Sequence, residues 1–248
     1  AGPAGALIAE RLADRGHEVV VLEAGEEFDF DSRLDRMERT IRPAHDGLSV
    51  WDMGGERDAY SSTGEWFYPL NVARVKGVGG STLHWQGMVM RLHESDFATD
   101  SRFGVGDDWP IDYADLKPYY AEGEQALGVA GASDNPFAPP RDEPHPMPAF
   151  EPSYSDSLFA EACEELGVTM HSVPNARNSE SYDGDSQCVG YGTCKPVCPS
   201  GATYDATRTI DDAREAGARV VDQVPVQQLH HDDAGQTVTA AESRPSLP

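Results

Sequence analysis

The chain has 248 residues, 39% of them hydrophobic, which suffices for one large packed domain or one and a half smaller ones. Its 43 acidic against 19 basic side chains give a formal net charge of -24, which repels a phosphate backbone and disfavours nucleic acid as a partner. No apolar run approaches the ~20 residues that a transmembrane segment needs.

The acids are spread along the chain (Asp14, Asp58, Asp107, Asp185, Asp232), and the only lysines are Lys76, Lys117 and Lys195. This is the pattern expected of a protein from a salt-accumulating halophile, where dissolved ions screen self-repulsion. An acidic mesophilic protein is the alternative.

In chain order, the periodicity predicts a helix over 6–15 with Leu7, Ile8 and Leu12 on its apolar face, closed by Gly16. Glu18 to Leu22 (EVVVL) follows as a short strand apolar enough for a buried parallel sheet. Asp31 to Arg42 is a charged helical segment, 51–69 a loop rich in Gly, Ser and aromatics, and 76–90 a glycine-rich stretch. Tyr113 to Leu127 reads as a helix capped by Asp112 and stopped by Gly128, with Leu116, Tyr119, Tyr120 and Leu127 as its apolar side. A proline-rich extended connection covers 135–152, and a helix over 157–166 ends at Gly167 with Cys163 buried on its apolar side. The last elements are a helix over 207–216, a strand region over 218–229 and a hairpin at Ala234-Gly235.

The opening, Ala1-Gly2-Pro3-Ala4-Gly5, then a helix, then EVVVLEAG, has the order of a dinucleotide-binding unit. Gly2 and Gly5 would be the second and third glycines of a G-x-G-x-x-G turn, the first falling before Ala1. Without a side chain at Gly2 the backbone can approach a pyrophosphate, which the positive end of the helix would face. Gly5 would let the helix pack closely on the sheet. Glu23 ends the strand at the spacing of an acid that accepts hydrogen bonds from ribose hydroxyls. The bland alternative is an αβ unit without a ligand. The phrase Glu23-Ala24-Gly25 points to FAD over NAD.

The turn, together with Lys76-Gly77-Val78-Gly79-Gly80-Ser81-Thr82, resembles the glucose–methanol–choline (GMC) oxidoreductases. Asp108-Trp109-Pro110-Ile111, Tyr119-Tyr120 and Gly201-Ala202 are similar to the catalytic subunits of gluconate, sorbitol and FAD-dependent glucose dehydrogenases. The resemblance runs from Ala1 to about Thr239. It implies an α/β fold: a Rossmann-like FAD-binding domain, incomplete, with the start of a substrate domain. The expected divisions are FAD-binding over 1–110, a helical and extended insertion over 111–180, a cysteine loop over 181–206, a return to the FAD-binding domain over 207–240, and an atypical tail over 241–248.

Gly79 and Gly80 allow a sharp loop whose amides face the flavin or its pyrophosphate, and Ser81 and Thr82 can add hydroxyl bonds. Many family members carry an asparagine shortly after the paired glycines. Here the sequence is Leu83-His84-Trp85, and the His-Trp pair is similar to that of pyranose oxidases, whose histidine is tethered to flavin. His84 is therefore a candidate tether, or a hydrogen-bonding neighbour of the ring. The family also implies that Val226, on the strand before the late hairpin, lies near the FAD adenine.

Cys188, Cys194 and Cys198-Pro199 fall within eleven residues, separated by Gly190 and Gly192. Thiolates at such spacing can converge on an iron–sulfur cluster. Three would leave a tetrahedral zinc one ligand short, and a disulfide within the loop is a further alternative. The spacing matches the loop of FAD-dependent glucose dehydrogenase catalytic subunits, which implies a [3Fe-4S] cluster.

The family resemblance implies oxidation of a CH–OH group in a sugar, polyol or sugar acid, with hydride passing to flavin N5 and electrons leaving through the cluster. The acceptor would be a cytochrome or small subunit. The family's catalytic base, a histidine paired with histidine or asparagine near the C-terminus, has no counterpart here; His230-His231 reads as an exposed turn. The chain is expected to be a fragment lacking that base, inactive by itself. The alternative is a truncated product retaining only a fold fragment and a metal-binding loop. The compartment is left open between cytoplasmic and membrane-peripheral.

Overall fold

The computed structural model describes residues 1–41, 49–51, 65–66 and 74–243. Most of the loop expected over 51–69, the end of the helix expected to reach Arg42, and the tail from 244 on lie outside these residues. In chain order the main elements are α1 (Pro3–Asp14), β1 (Val20–Leu22), α2 (Arg33–Ile41), a 3-10 turn (Gly80–His84), α3 (Thr99–Phe103) and α4 (Tyr113–Leu127). Then come β2 (Ala130–Gly131), β3 (Met147–Pro148), α5 (Tyr154–Glu165), α6 (Thr207–Glu215), β4 (Arg219–Val221), β5 (Val226–His231) and β6 (Val238–Ser243). No helix among the described residues is long and apolar enough to cross a membrane. The chain divides into two compact units, one of residues 1–85, 191–201 and 205–248, the other of 86–190 and 202–204.

In the first unit, β1 pairs in parallel with β4, Val21 opposite Val220. Helices α1 and α6 pack through small side chains: Ala9, Ala13, Ala213 and Ala218 form one core, with Val19, Val21 and Ala216 against it. This corrects the expected face of α1. Ile8 is 61% and Leu12 37% exposed, because the two helices approach through a contact made by methyl groups, which longer side chains would hold apart. The strand is also less buried than its composition suggests: Val20 is exposed, and among the described residues β1 has one partner. The expected strand over 218–229 is two, β4 and β5, with Gln223 at positive φ between them. His230 and His231 stand in β5, not in a turn, though both are exposed as expected, and His230 Nε2 lies 3.2 Å from Glu242 across the hairpin.

A second core of this unit joins Val50, Trp51, Val75, Leu83 and Val197, with Phe28 and Met37 against it. The Arg36 guanidinium lies over Phe28 at 4.6 Å and Trp51 at 5.3 Å, and it donates to the Val50 carbonyl. Arg33, equally buried, donates to Asp205 at 2.6 Å. Helix α2 therefore buries two of its three arginines, Arg33 and Arg36, because aromatic faces and a paired carboxylate replace their water.

In the second unit, α4 begins and ends as its sequence dictates. Asp112 and Asp115 form a capping box, and Gly128 at φ +60° closes the helix. Its buried face includes most of the expected one, with Leu116, Tyr120 and Leu127 half-buried, and a polar residue at its centre. Tyr113 and Glu124 are inside, whereas Tyr119 is 66% exposed. Glu124 accepts from Arg91 at 2.7 and 2.9 Å and from Arg141 at 2.6 Å, so the burial of this acid is compensated by two cations. Helix α5 starts at a Ser153 cap and buries no residue fully; Cys163 is half-buried, not inside as expected.

The alanine packing yields a direct test. Ala13→Leu should destabilise the chain by about 1–3 kcal/mol through overpacking, while Ile8→Ser should stay within about 0.5 kcal/mol. Urea unfolding of the two variants checks both, and a larger loss for Ile8→Ser would contradict the assigned face.

Candidate cofactor site

The two glycine turns meet. Gly79 donates its amide to the Ala1 carbonyl at 2.9 Å. A Cβ placed on Gly80 would stand 2.9 Å from the Gly2 Cα, so the second turn sits against the first closely enough to exclude a methyl group. Gly79 (φ +103°) and Gly80 (φ +57°) both occupy backbone conformations that glycine favours. Gly25 and Gly77 extend the approach: a Cβ on Gly25 would collide with the Lys76 carbonyl, and one on Gly77 would stand 2.8 Å from the Glu26 carbonyl. The Val78 amide donates to Glu26 at 3.1 Å, stitching the loop after Glu23 to the second turn.

Glu23 lies at the end of β1, 9% exposed. Its Oε1 accepts from the Gly25 amide at 2.9 Å and its Oε2 from the Ala1 nitrogen at 2.5 Å. The segment after β4 closes around it. Val224 donates to the Glu23 carbonyl at 2.7 Å and Gln223 to the Gly25 carbonyl at 2.8 Å. Val226 begins β5 two residues later, 43% exposed and paired with Ser243.

Helix α1 starts at Gly2 with no side-chain cap and no acid in its first turn. Its N-terminal dipole is thus left for an external anion. A Cβ on Gly2 or Gly5 would meet nothing within 4 Å. For Gly2 that openness fits a backbone approached by a ligand. At Gly5 no described residue makes the close contact that the sequence pattern expects.

Of the hydroxyl residues, Thr82 is buried and engaged within its own loop, donating to the Gly79 carbonyl at 2.5 Å and accepting from the Ala206 amide at 3.0 Å. Ser81 is exposed, and its oxygen accepts from the Val75 amide at 3.2 Å. His84 ends the 3-10 turn half-buried, with Trp85 following in extended backbone. Gly2, Glu23, Gly79 and Gly80 are therefore brought together, with Ser81, Thr82 and His84 on the same short turn. The sequence reading names Gly77 with Gly79 and Gly80 as a loop former and misses Gly25 as a point of close approach; the glycine directly after Glu23-Ala24 was the available signal.

Cys194 and Cys198 belong to the first unit, half-buried and buried, and Cys188 to the second, half-buried with its amide bonded to the Asn178 carbonyl at 2.9 Å. Among the described residues none of the four cysteines is joined in a disulfide. Among the described residues, no three His, Cys, Asp or Glu side chains gather as they would around a metal ion.

The glycine contacts predict a stability effect that needs no ligand. Gly25→Ala should cost about 1–3 kcal/mol, since its methyl meets rigid backbone. Gly5→Ala, facing open space within a helix, should be neutral or stabilising by about 0.5–1 kcal/mol. Thermal unfolding distinguishes the two, and equal effects would contradict the described contacts.

A family model described as GMC oxidoreductase matches residues 68–246. The chain is 33% identical, over 97% of its length and 46% of the relative's, to the fructose dehydrogenase large subunit of Gluconobacter japonicus. It is 26% identical to the gluconate 2-dehydrogenase flavoprotein of Pantoea cypripedii, over 73% of this chain and 35% of the relative. To the 2-methyl-1,2-propanediol dehydrogenase of Mycolicibacterium austroafricanum it is 28% identical, over 92% of this chain and 42% of the relative. The chain thus spans less than half the length of these relatives. The family uses FAD, and the length and identity of these matches establish that the chain belongs to the GMC oxidoreductases.

Proposed function

We propose that this chain forms the seat for FAD in a dehydrogenase that oxidises a CH–OH group of a sugar, polyol or sugar acid. The observation that carries the reading is the meeting of the uncapped start of α1, the carboxylate of Glu23 and the interlocked turn at Gly79-Gly80 in one unit. Bound FAD would supply the acceptor for hydride from the alcohol carbon. The substrate class is the chemistry named in the relatives, a ketose, a sugar acid and a diol.

The chain's own residues divide the work of holding it. The first-turn amides of α1 and the bare backbone at Gly2 and Gly5 would receive the pyrophosphate. Glu23 would accept from ribose hydroxyls; each carboxylate oxygen already accepts one bond and retains a second lone pair. Ser81, Thr82 and the Gly79-Gly80 amides would shape the edge of the seat, and Val226 would lie toward the adenine. His84 is the candidate ring contact or tether. The Rossmann-like topology is part of the same proposal, as are the division over 1–110, 111–180, 181–206 and 207–240 and the halophilic origin.

Cys188, Cys194 and Cys198 are proposed as the ligands of a [3Fe-4S] cluster feeding a cytochrome or small subunit. Their spacing supports this. The described residues do not gather three such ligands, so no electron route is drawn through them.

Two measurements test these assignments. Purified anaerobically, the chain should carry flavin absorption, and a colourless protein that fails to take up added FAD would overturn the seat. Iron and acid-labile sulfide should accompany it, and a preparation holding zinc without iron would overturn the cluster. Denaturation and filtration then decides the role of His84, since flavin that passes the filter excludes a tether.

A further inference from the structure

The second unit contains a cavity of about 260 Å³ that the cofactor reading does not use. Met90, Pro139 and Pro140 form its apolar wall; the polar wall is Arg91, Glu124, Arg141 and His145. Glu124 is the only carboxylate among the lining residues, and it stands against two guanidinium groups. Nearby Asp134 does not line the cavity, and its carboxylate is taken up by the Ser172 amide and hydroxyl at 2.8 and 2.6 Å. The wall therefore carries an excess positive charge that is partly withdrawn from water, an arrangement that favours an anion.

The donor count points the same way. Arg91 directs three nitrogens to Glu124 and to the Tyr113 hydroxyl, and Arg141 directs its three to Glu124, the Glu143 carbonyl and His145 Nε2. A guanidinium has five N–H donors, so each retains some with no partner among the described residues. It has no acceptor, so at 2.9 Å from Arg141 the His145 Nε2 must accept. In the neutral ring the proton is then on Nδ1. That atom is buried without a hydrogen-bond partner, and the Glu124 oxygen is 3.9 Å away. Burial first, and then the charge of Arg141, hold the His145 pKa below its ordinary value, consistent with a neutral ring. The groups that Arg91, Arg141 and His145 leave without a partner among the described residues are all donors.

We propose that this cavity binds a small monocarboxylate, its carboxylate on the spare N–H groups of Arg91 and Arg141 and its short tail against Met90 and the two prolines. A volume just under the ~300 Å³ lower end of ordinary ligand pockets admits a few heavy atoms and excludes a nucleotide or an oligosaccharide.

The test is titration of the purified full chain with acetate, propionate and lactate, against chloride at matched ionic strength, by calorimetry and by the imidazole NMR signals of His145. Saturable carboxylate binding that chloride does not reproduce is expected. Arg141→Gln should weaken it about tenfold or more, the loss of a charge-assisted bond. Ala138→Leu, which fills the cavity from an exposed position, should abolish it without lowering the melting temperature. Carboxylate effects equal to those of chloride, or binding unchanged in Ala138→Leu, would overturn the proposal. Loss in Ala138→Leu with full binding in a folded Arg141→Gln would overturn the assigned carboxylate contact.

Discussion

Gly80 lies so close to Gly2 that a Cβ on Gly80 would stand 2.9 Å from the Gly2 Cα. That contact, with the Gly79 amide on the Ala1 carbonyl, fixes the second turn against the start of α1. The remainder of the first unit serves it. Thr82 braces the turn from beneath by bonding Gly79 and Ala206, and Gly25 and Gly77 bring the loop after Glu23 within backbone contact of the same stretch. The alanine interface of α1 and α6 sets the helix whose N-terminus the turn meets. A site of this kind is built mainly from backbone, which is why glycines recur where catalytic side chains might have been sought.

Much of this was legible because glycine, caps and strand composition act locally. The helix over Tyr113–Leu127 begins at Asp112 and ends at Gly128 because a capping box and a left-handed closing residue are short-range devices. The order of turn, helix, strand and Glu23 likewise survives in the fold. The faces of the helices were legible only in part. In α1 the buried residues are alanines, since the partner helix is close enough to need small side chains, and the larger Leu and Ile that carry the periodic signal point elsewhere. In α4 the buried Glu124 could not be read from periodicity, because its burial depends on Arg91 and Arg141, 33 and 17 residues away. A hydrophobic pattern counts apolar residues and is blind to a charge compensated from a distance.

The same separation between local and distant causes runs through the candidate site. Gly2, Glu23 and Gly79-Gly80 were recognisable as two separate motifs, and their meeting is a tertiary fact. Val226 follows Gln223 and Val224, which donate to the Gly25 and Glu23 carbonyls, a link that spans about two hundred positions. The cysteines are the reverse case. Their spacing is a clear sequence signal, and the described residues show no gathered ligand set.

The central claim, that the open backbone at the start of α1 receives the cofactor, is tested most directly by Gly2→Ala. The added methyl meets nothing within 4 Å in the chain itself, so folding stability should change by about 1 kcal/mol at most. FAD affinity, measured by fluorescence titration, should fall at least about tenfold, because the methyl takes the space the pyrophosphate needs. Undiminished FAD binding by a folded Gly2→Ala chain would contradict the account.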